Sequence, residues 1–151
     1  MLYSNLPKPK PRRYSIPNEI MILHLSIGAL AVYNYLLYVE DRKTYQCHPS
    51  YKTIGEALSI KSKGTVKKYV EELEEKCLIY TEPTTIFRKG KKVNGNLLYT
   101  IRPIQDALEH FYHKQMQENA LAMQKEKVAE LLKESGLTPV PEACDTTQAT
   151  A

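Results

Sequence analysis

Lys61, Ser62, Lys63, Thr65, Lys67 and Lys68 place four cations and two hydroxyls in one short stretch. Ammonium groups and hydroxyls at this density hold anions, by donating to phosphate oxygens and to the acceptor edges of bases. Three smaller groups suit the same chemistry. Arg88, Lys89, Lys91 and Lys92 crowd RKGKK. Ser50, Tyr51 and Lys52 open an apolar-periodic segment, where free backbone N–H groups would suit a phosphate. Arg12 and Arg13 end a leader in which Pro7, Pro9 and Pro11 alternate with Lys8 and Lys10.

Each group also has a plainer reading. The lysine stretch would be a solvated helix face with Lys67–Glu71 and Lys68–Glu72 pairs. Those pairs have lysine N-terminal to glutamate, the weaker orientation, so stability alone explains them poorly. Ser50 would be only a helix cap, the RKGKK segment only a soluble turn. The leader either enters a minor groove or is disordered.

Other chemistry lacks its residues. Cys47-His48 has no second Cys/His pair at zinc spacing. His110 and His113 sit three apart beside Glu109, without further ligands, and Cys77 fits a packed position at a helix end. There is no phosphate-cradling glycine loop, no nucleophile elbow and no paired carboxylates in a plausible cleft. The 11 tyrosines lack the metal site or arginine constellation that a nicking tyrosine needs. No enzyme, metal or cofactor is expected.

Helical and strand periods place these groups. Ser26 caps a helix to about Glu40, with Leu30, Tyr33, Leu36 and Leu37 on its apolar face. After the polar stretch Asp41 to His48, Ser50 caps a second helix with Ile54, Ala57 and Leu58 inward. Ser59 to Ser62 is a turn, and Ser62 caps a third helix. Its buried stripe is Val66, Val70 and Leu73, which turns Lys61, Gly64, Thr65 and Lys68 outward and leaves Lys67 on the flank. Two short helices joined in this way form a helix-turn-helix, whose second helix enters a DNA major groove.

The charges of the third helix oppose its dipole. Lys63, Lys67 and Lys68 lie toward the positive end; Glu71, Glu72, Glu74 and Glu75 lie toward the negative end. Each misplaced charge costs roughly 0.3–1 kcal/mol at an exposed site, and phosphate binding is the expected return. After Leu78 the period shifts to strands, Leu78 to Arg88 and Leu97 to Arg102, with Asn94-Gly95 as the turn signal. A basic hairpin directly after a helix-turn-helix is a wing. Pro103 starts a long helical tract to about Ser135, stopped by Gly136 and Pro139. Ile104, Leu108, Phe111 and Tyr112 would dock on the winged domain. Leu121, Val128, Leu131 and Leu132 do not form a clean heptad, so a short helix pairing is expected rather than a long coiled coil.

Charge divides the same way. The chain of 151 residues has net charge +4, but residues 1–102 carry 17 Lys/Arg against 9 Asp/Glu, and residues 103–151 carry 4 against 8. The basic part is where a polyanion would bind; the acidic part is a separate module or a solvated face. No apolar run approaches the ~20 residues of a membrane span. The N-terminus lacks a signal-peptide shape. Three cysteines, Cys47, Cys77 and Cys144, cannot all pair with one another, so free thiols and a cytoplasmic location are expected.

From Leu25 to about Ile79 the sequence resembles the winged helix-turn-helix domain of plasmid, phage and conjugative-element DNA-binding proteins of Gram-positive bacteria. That family includes the N-terminal domains of replication initiators and phage replisome organisers. The resemblance rests on Leu25-Ser26 with Ala31-Val32-Tyr33, on Pro49 to Ile54, and on Thr65-Val66 through Leu73 to Lys76. It implies that the third helix is the recognition helix, with contacts at Ser62, Lys63, Thr65, Lys67 and Lys68. Gly64 departs from the pattern, where a longer side chain would offer a base contact. No catalytic domain follows, so helicase or primase activity is not expected.

The resulting expectation is a mainly α protein with a small β-hairpin (α+β), a winged helix-turn-helix followed by a long C-terminal helix. Residues 1–17 form a basic arm, 18–102 the winged domain, 103–135 the helix and a dimerisation element, and 136–151 a disordered tail. The expected partners are double-stranded DNA and a second copy of the chain, with no membrane. The expected role is transcription or replication control of a mobile element. The competing reading is a winged-helix module that contacts an acidic protein partner or shapes DNA without reading its sequence.

Overall fold

The computed structural model describes residues 13–136. Arg12, most of the arm, Cys144 and all of the tail beyond Gly136 lie outside the described residues. The chain forms two compact units, one ending at Phe111 and one beginning at Tyr112.

Three serines start three successive α-helices of the first unit. Ser26 precedes α1 (Ile27–Val39) and its Oγ accepts from Ala29 N at 3.3 Å. Ser50 precedes α2 (Tyr51–Leu58) and accepts from Thr53 N at 3.1 Å. Ser62 precedes α3 (Lys63–Glu75), but its hydroxyl makes no capping bond. The turn between α2 and α3 begins at Ser59, which takes a left-handed conformation at φ 59°. α3 buries Val66, Val70 and Leu73, the expected stripe. α1 buries Ala29, Val32, Tyr33, Leu36 and Leu37, while Leu30 is half-buried against the core.

α2 differs from the expected face. Ile54 is buried and Leu58 half-buried, but Ala57 is exposed and Gly55 takes the inner place. The backbone of the turn explains it: the Ile60 carbonyl oxygen would lie 2.7 Å from a Cβ at position 55. Before α1, Asn18–Leu23 forms a 3-10 helix that buries Ile20 and Leu23, an element the sequence pattern did not reveal.

The sheet has three antiparallel strands rather than two. β1 (Gln46–Cys47), β2 (Ile79–Arg88) and β3 (Lys91–Ile101) run in the order β1-β3-β2. β1 lies in the stretch expected to be merely polar and pairs with Tyr99 and Thr100. The hairpin turn is also displaced. It falls at Lys89-Gly90, with φ 49° and 73°, and not at Asn94-Gly95. Two consecutive positive φ values match the right-handed twist of the flanking strands. Asn94 and Gly95 instead lie within β3.

Gly95 serves a one-residue bulge. Pro83 pairs with Leu97 and Thr85 with Asn94, so Thr84 alone faces both Gly95 and Asn96. Thr84 Oγ1 donates to the Asn96 carbonyl, and a Cβ at Gly95 would lie 2.5 Å from that hydroxyl. Pro83 brings no N–H to the ladder, which favours an irregularity at this place.

Pro103 precedes α4 (Ile104–Glu134). Ala107 of α4 is fully buried, and Ile104, Leu108 and Phe111 pack on the core of the first unit as expected. Tyr112, expected to dock with them, is exposed and belongs to the second unit. That unit is the remainder of α4, where Met116, Leu121, Met123, Val128 and Leu131 are all exposed. The architecture is an α+β winged helix with a long C-terminal helix. No helix among the described residues is long and apolar enough to cross a membrane.

Candidate nucleic-acid interface

The lysines of α3 stay at the surface because the stripe Val66-Val70-Leu73 fixes the helix rotation. Lys61, Ser62, Lys63, Gly64, Lys67 and Lys68 are exposed, and Thr65 is half-buried. Lys67 pairs with Glu71 at 3.7 Å, both side chains largely exposed. Pairs of that kind contribute about 0–1 kcal/mol.

The Lys68–Glu72 pair does not form. Glu72 reaches the N-terminus of α1 instead, accepting from Ser26 N at 2.8 Å and from Ser26 Oγ at 2.6 Å. The carboxylate unfavourable for its own helix therefore sits at the positive end of another. Glu74 also turns inward and accepts from Thr81 Oγ1 at 2.6 Å. Among the described residues Lys61, Lys63 and Lys68 have no ion-pair partner, and the Ser62 hydroxyl has no hydrogen bond.

The start of α2 and the turn converge. Tyr51, Lys52, Lys61 and Lys63 line one cleft of about 650 Å³, together with Gly55, Glu56, Ser59 and Ile60. Glu56 on its rim pairs with Lys52 at 3.8 Å. Tyr51 is half-buried and packs on the core; burial, then Glu71 and Glu74, push its phenol above the ordinary range. It is anchored as much as presented. Ser50 Oγ is engaged with Thr53, at 3.1 Å to N and 2.8 Å to Oγ1, so capping accounts for it fully.

The wing carries its cations on strand ends rather than in a loop. Arg88 is the last residue of β2, Lys91 and Lys92 open β3, and Lys89 is in the turn; all four are exposed. Arg88 and Lys91 are direct cross-strand partners. Like charges placed opposite each other destabilise a hairpin. None of the four has an ion-pair partner among the described residues.

Arg13 stands apart from this group. It lines a different cleft, of about 680 Å³, with Tyr14, Tyr38, Arg42 and Lys43 near the end of α1. Its carbonyl accepts from Arg42, and Tyr14 meets Tyr38 edge-on with ring centroids 5.8 Å apart. The two clefts share no lining residue. Sequence reasoning missed Phe87 beside the wing cations: it is a large exposed apolar side chain directly opposite Lys92. It fell at the end of the expected strand Leu78 to Arg88, and local alternation could not show that the strand's inner side runs out of cover there. Among the described residues no group of three or more His, Cys, Asp or Glu could hold a metal ion.

These features define a helix-turn-helix whose second helix is basic toward its N-terminus and acidic toward its C-terminus, followed by a basic wing. Residues 23–79 match the model of a helix-turn-helix domain family. No curated protein matches the chain. Among solved structures, the chain is similar to a Methanosarcina mazei Go1 protein described as a possible transcriptional regulator. The match has 17% identity and a TM-score of 0.46, and it covers 70% of this chain and 82% of that one.

Proposed function

We propose that this chain binds duplex DNA through α3 and the wing, and regulates transcription or replication of a mobile genetic element. The observation that carries the reading is the outward lysine face of α3 and of the turn before it. Lys61, Lys63 and Lys68 have no acidic partner among the described residues, and the carboxylate one turn from Lys68 is committed to Ser26. In this reading α3 enters the major groove. Its long side chains contact phosphates, and Ser62 and Thr65 stand where base edges come within reach. The start of α2 and the wing cations hold the flanking backbone. The exposed apolar residues of α4 beyond Tyr112 pair two copies, which would read an inverted repeat.

The test is a selection from random duplex DNA at near-physiological salt, with the enriched sequences rebound across a salt series. The expected result is an enriched inverted repeat and binding that weakens as salt rises. A single enriched half-site would remove the paired copies. Salt-sensitive binding without enrichment would favour the architectural module, and no binding would remove the reading.

A further inference from the structure

Along β2, alternation puts Ile79, Thr81, Thr85 and Phe87 on one side of the strand. At the base of the hairpin that side faces the helices: Ile79 is 2% exposed. Toward the tip it meets no helix among the described residues, and Phe87 is 76% exposed. The bulge decides its company. Below it, β2 residues on this side pair with Ile101, Tyr99 and Leu97; beyond it they pair with Asn94 and Lys92. An unbroken register would have carried odd-numbered β3 residues, Val93 among them, onto Phe87's side. The extra residue at Gly95–Asn96 puts Val93 opposite Ile86 instead, and Lys92 opposite Phe87.

One face of the wing tip therefore presents a lone aromatic ring framed by a lysine, an asparagine and a threonine. Arg88, Lys89 and Lys91 crowd the same tip. A bare phenyl ring is poorly placed in water, and a tip this basic favours a polyanion as its cover. Apolar wedges accompanied by Lys and Asn are the side-chain set that enters a minor groove and parts base steps. We infer that Phe87 is a wedge residue that inserts into the minor groove of duplex DNA, with Asn94 at base edges and Lys92 on a phosphate. The inference rests on the duplex-binding reading above and adds to it a side chain that deforms the DNA.

The experiment uses the full chain and two end-labelled duplexes of equal length, one A·T-rich and one G·C-rich, with energy transfer between the ends reporting bending. Wild-type protein bends the A·T-rich duplex more. Phe87→Ala binds roughly tenfold more weakly and loses the bend, while its salt slope is unchanged, because a phenyl ring displaces no counterions. Phe87→Leu, which keeps an apolar wedge, restores most of the bend. Lys92→Ala flattens the salt slope by about 0.9 and keeps the bend. Thermal melts of the variants confirm that each is folded. If Phe87→Ala binds and bends DNA as wild type does, the wedge is overturned and duplex binding stands. If Ala and Leu lose equally and the salt slope changes, the wedge is likewise overturned. If the wild type binds neither duplex, the duplex-binding reading fails and the wedge with it.

Discussion

The two halves of α3 carry opposite charges toward opposite ends. Toward its C-terminus, Glu72 clasps the first residues of α1 and Glu74 holds Thr81 at the start of the hairpin. Toward its N-terminus, Lys63 and Lys68 find no acid among the described residues, and Lys67 finds only an exposed one. Both halves oppose the dipole of their own helix. For the glutamates the offset is intramolecular, because one helix's misplaced charge is another's cap. For the lysines nothing within the described residues provides it. The contrast separates charges engaged within the fold from charges that the described residues leave exposed.

Alkali should give the largest effect, by removing the ground on which both halves stand. Burial, reinforced by Glu40, pushes the Tyr33 phenol from 10.0 to about 12 and the Cys47 thiol from 9.0 to about 12. Burial also raises the Tyr99 phenol, with Tyr51 a smaller contributor. A raised folded-state value means the native state keeps the proton more firmly than the unfolded chain does. That stability is complete below about pH 9 and is lost as pH climbs toward 12. Urea midpoints across this range should fall together with DNA binding. Salt, by contrast, should weaken binding and leave the urea midpoint nearly unmoved. A fold equally stable at pH 8 and pH 12 would contradict the burial of these groups.

Replacing Lys67 and Lys68 together with Ala breaks the comparison on its lysine side. Affinity for duplex DNA should fall at least roughly tenfold at low salt, with the salt slope flattened by about 0.9 for each phosphate no longer neutralised. Stability should stay within about 0.5 kcal/mol of wild type, as for surface changes generally. Lys63→Ala, in the first turn, should even stabilise by about 0.3–1 kcal/mol. A double variant that unfolds easily and keeps its salt slope would show the lysines to be structural.

On the glutamate side the expectation reverses. Glu72→Ala leaves Ser26 N–H and Oγ to solvent, and should cost about 1–2 kcal/mol in a denaturant titration. Affinity per folded molecule should hold or rise slightly, since a negative charge beside the lysines is gone. Loss of affinity without loss of stability would erase the distinction between the halves.

The sequence displays one half of this contrast better than the other. Helices α1 to α3, their serine starts and the stripe Val66-Val70-Leu73 follow from local periodicity, and the structure has them where expected. What was hidden depends on residues far apart in sequence. β1 is two residues long and exists because Tyr99 and Thr100 lie beside it. Glu72 meets Ser26 across 46 positions, which no helical spacing can announce. The 3-10 helix owes its place to Ile20 and Leu23 entering a core built by other elements. In the wing, two glycines competed for the turn; Gly90 took it and Gly95 took the bulge, a choice settled by pairing along the whole hairpin. Exposed lysines need no partner to be recognised, so the candidate interface was legible at α3 while the face around Phe87 was not.

Gly64 gives the smallest and finest test of the lysine half. It lies in the first turn of α3 with ordinary helical backbone, and a Cβ there would meet only Ser62 Oγ, at 3.6 Å. The fold therefore has room for a methyl group, and glycine in a helix is the less stable choice. Gly64→Ala should stabilise the protein by about 0.5–1 kcal/mol, through lower entropy of the unfolded chain and better helix propensity. If the lysines act only through their long side chains, DNA binding should not notice the change. If the backbone of α3 itself comes close to the duplex, the methyl group stands between them. The expected result is the second: a higher melting temperature, with duplex affinity weaker by roughly threefold. Gains in both would mean the helix stands off from DNA on its lysines. Loss of stability would mean that Gly64 serves the fold, and that the division of α3 into a holding half and a reaching half starts one turn later.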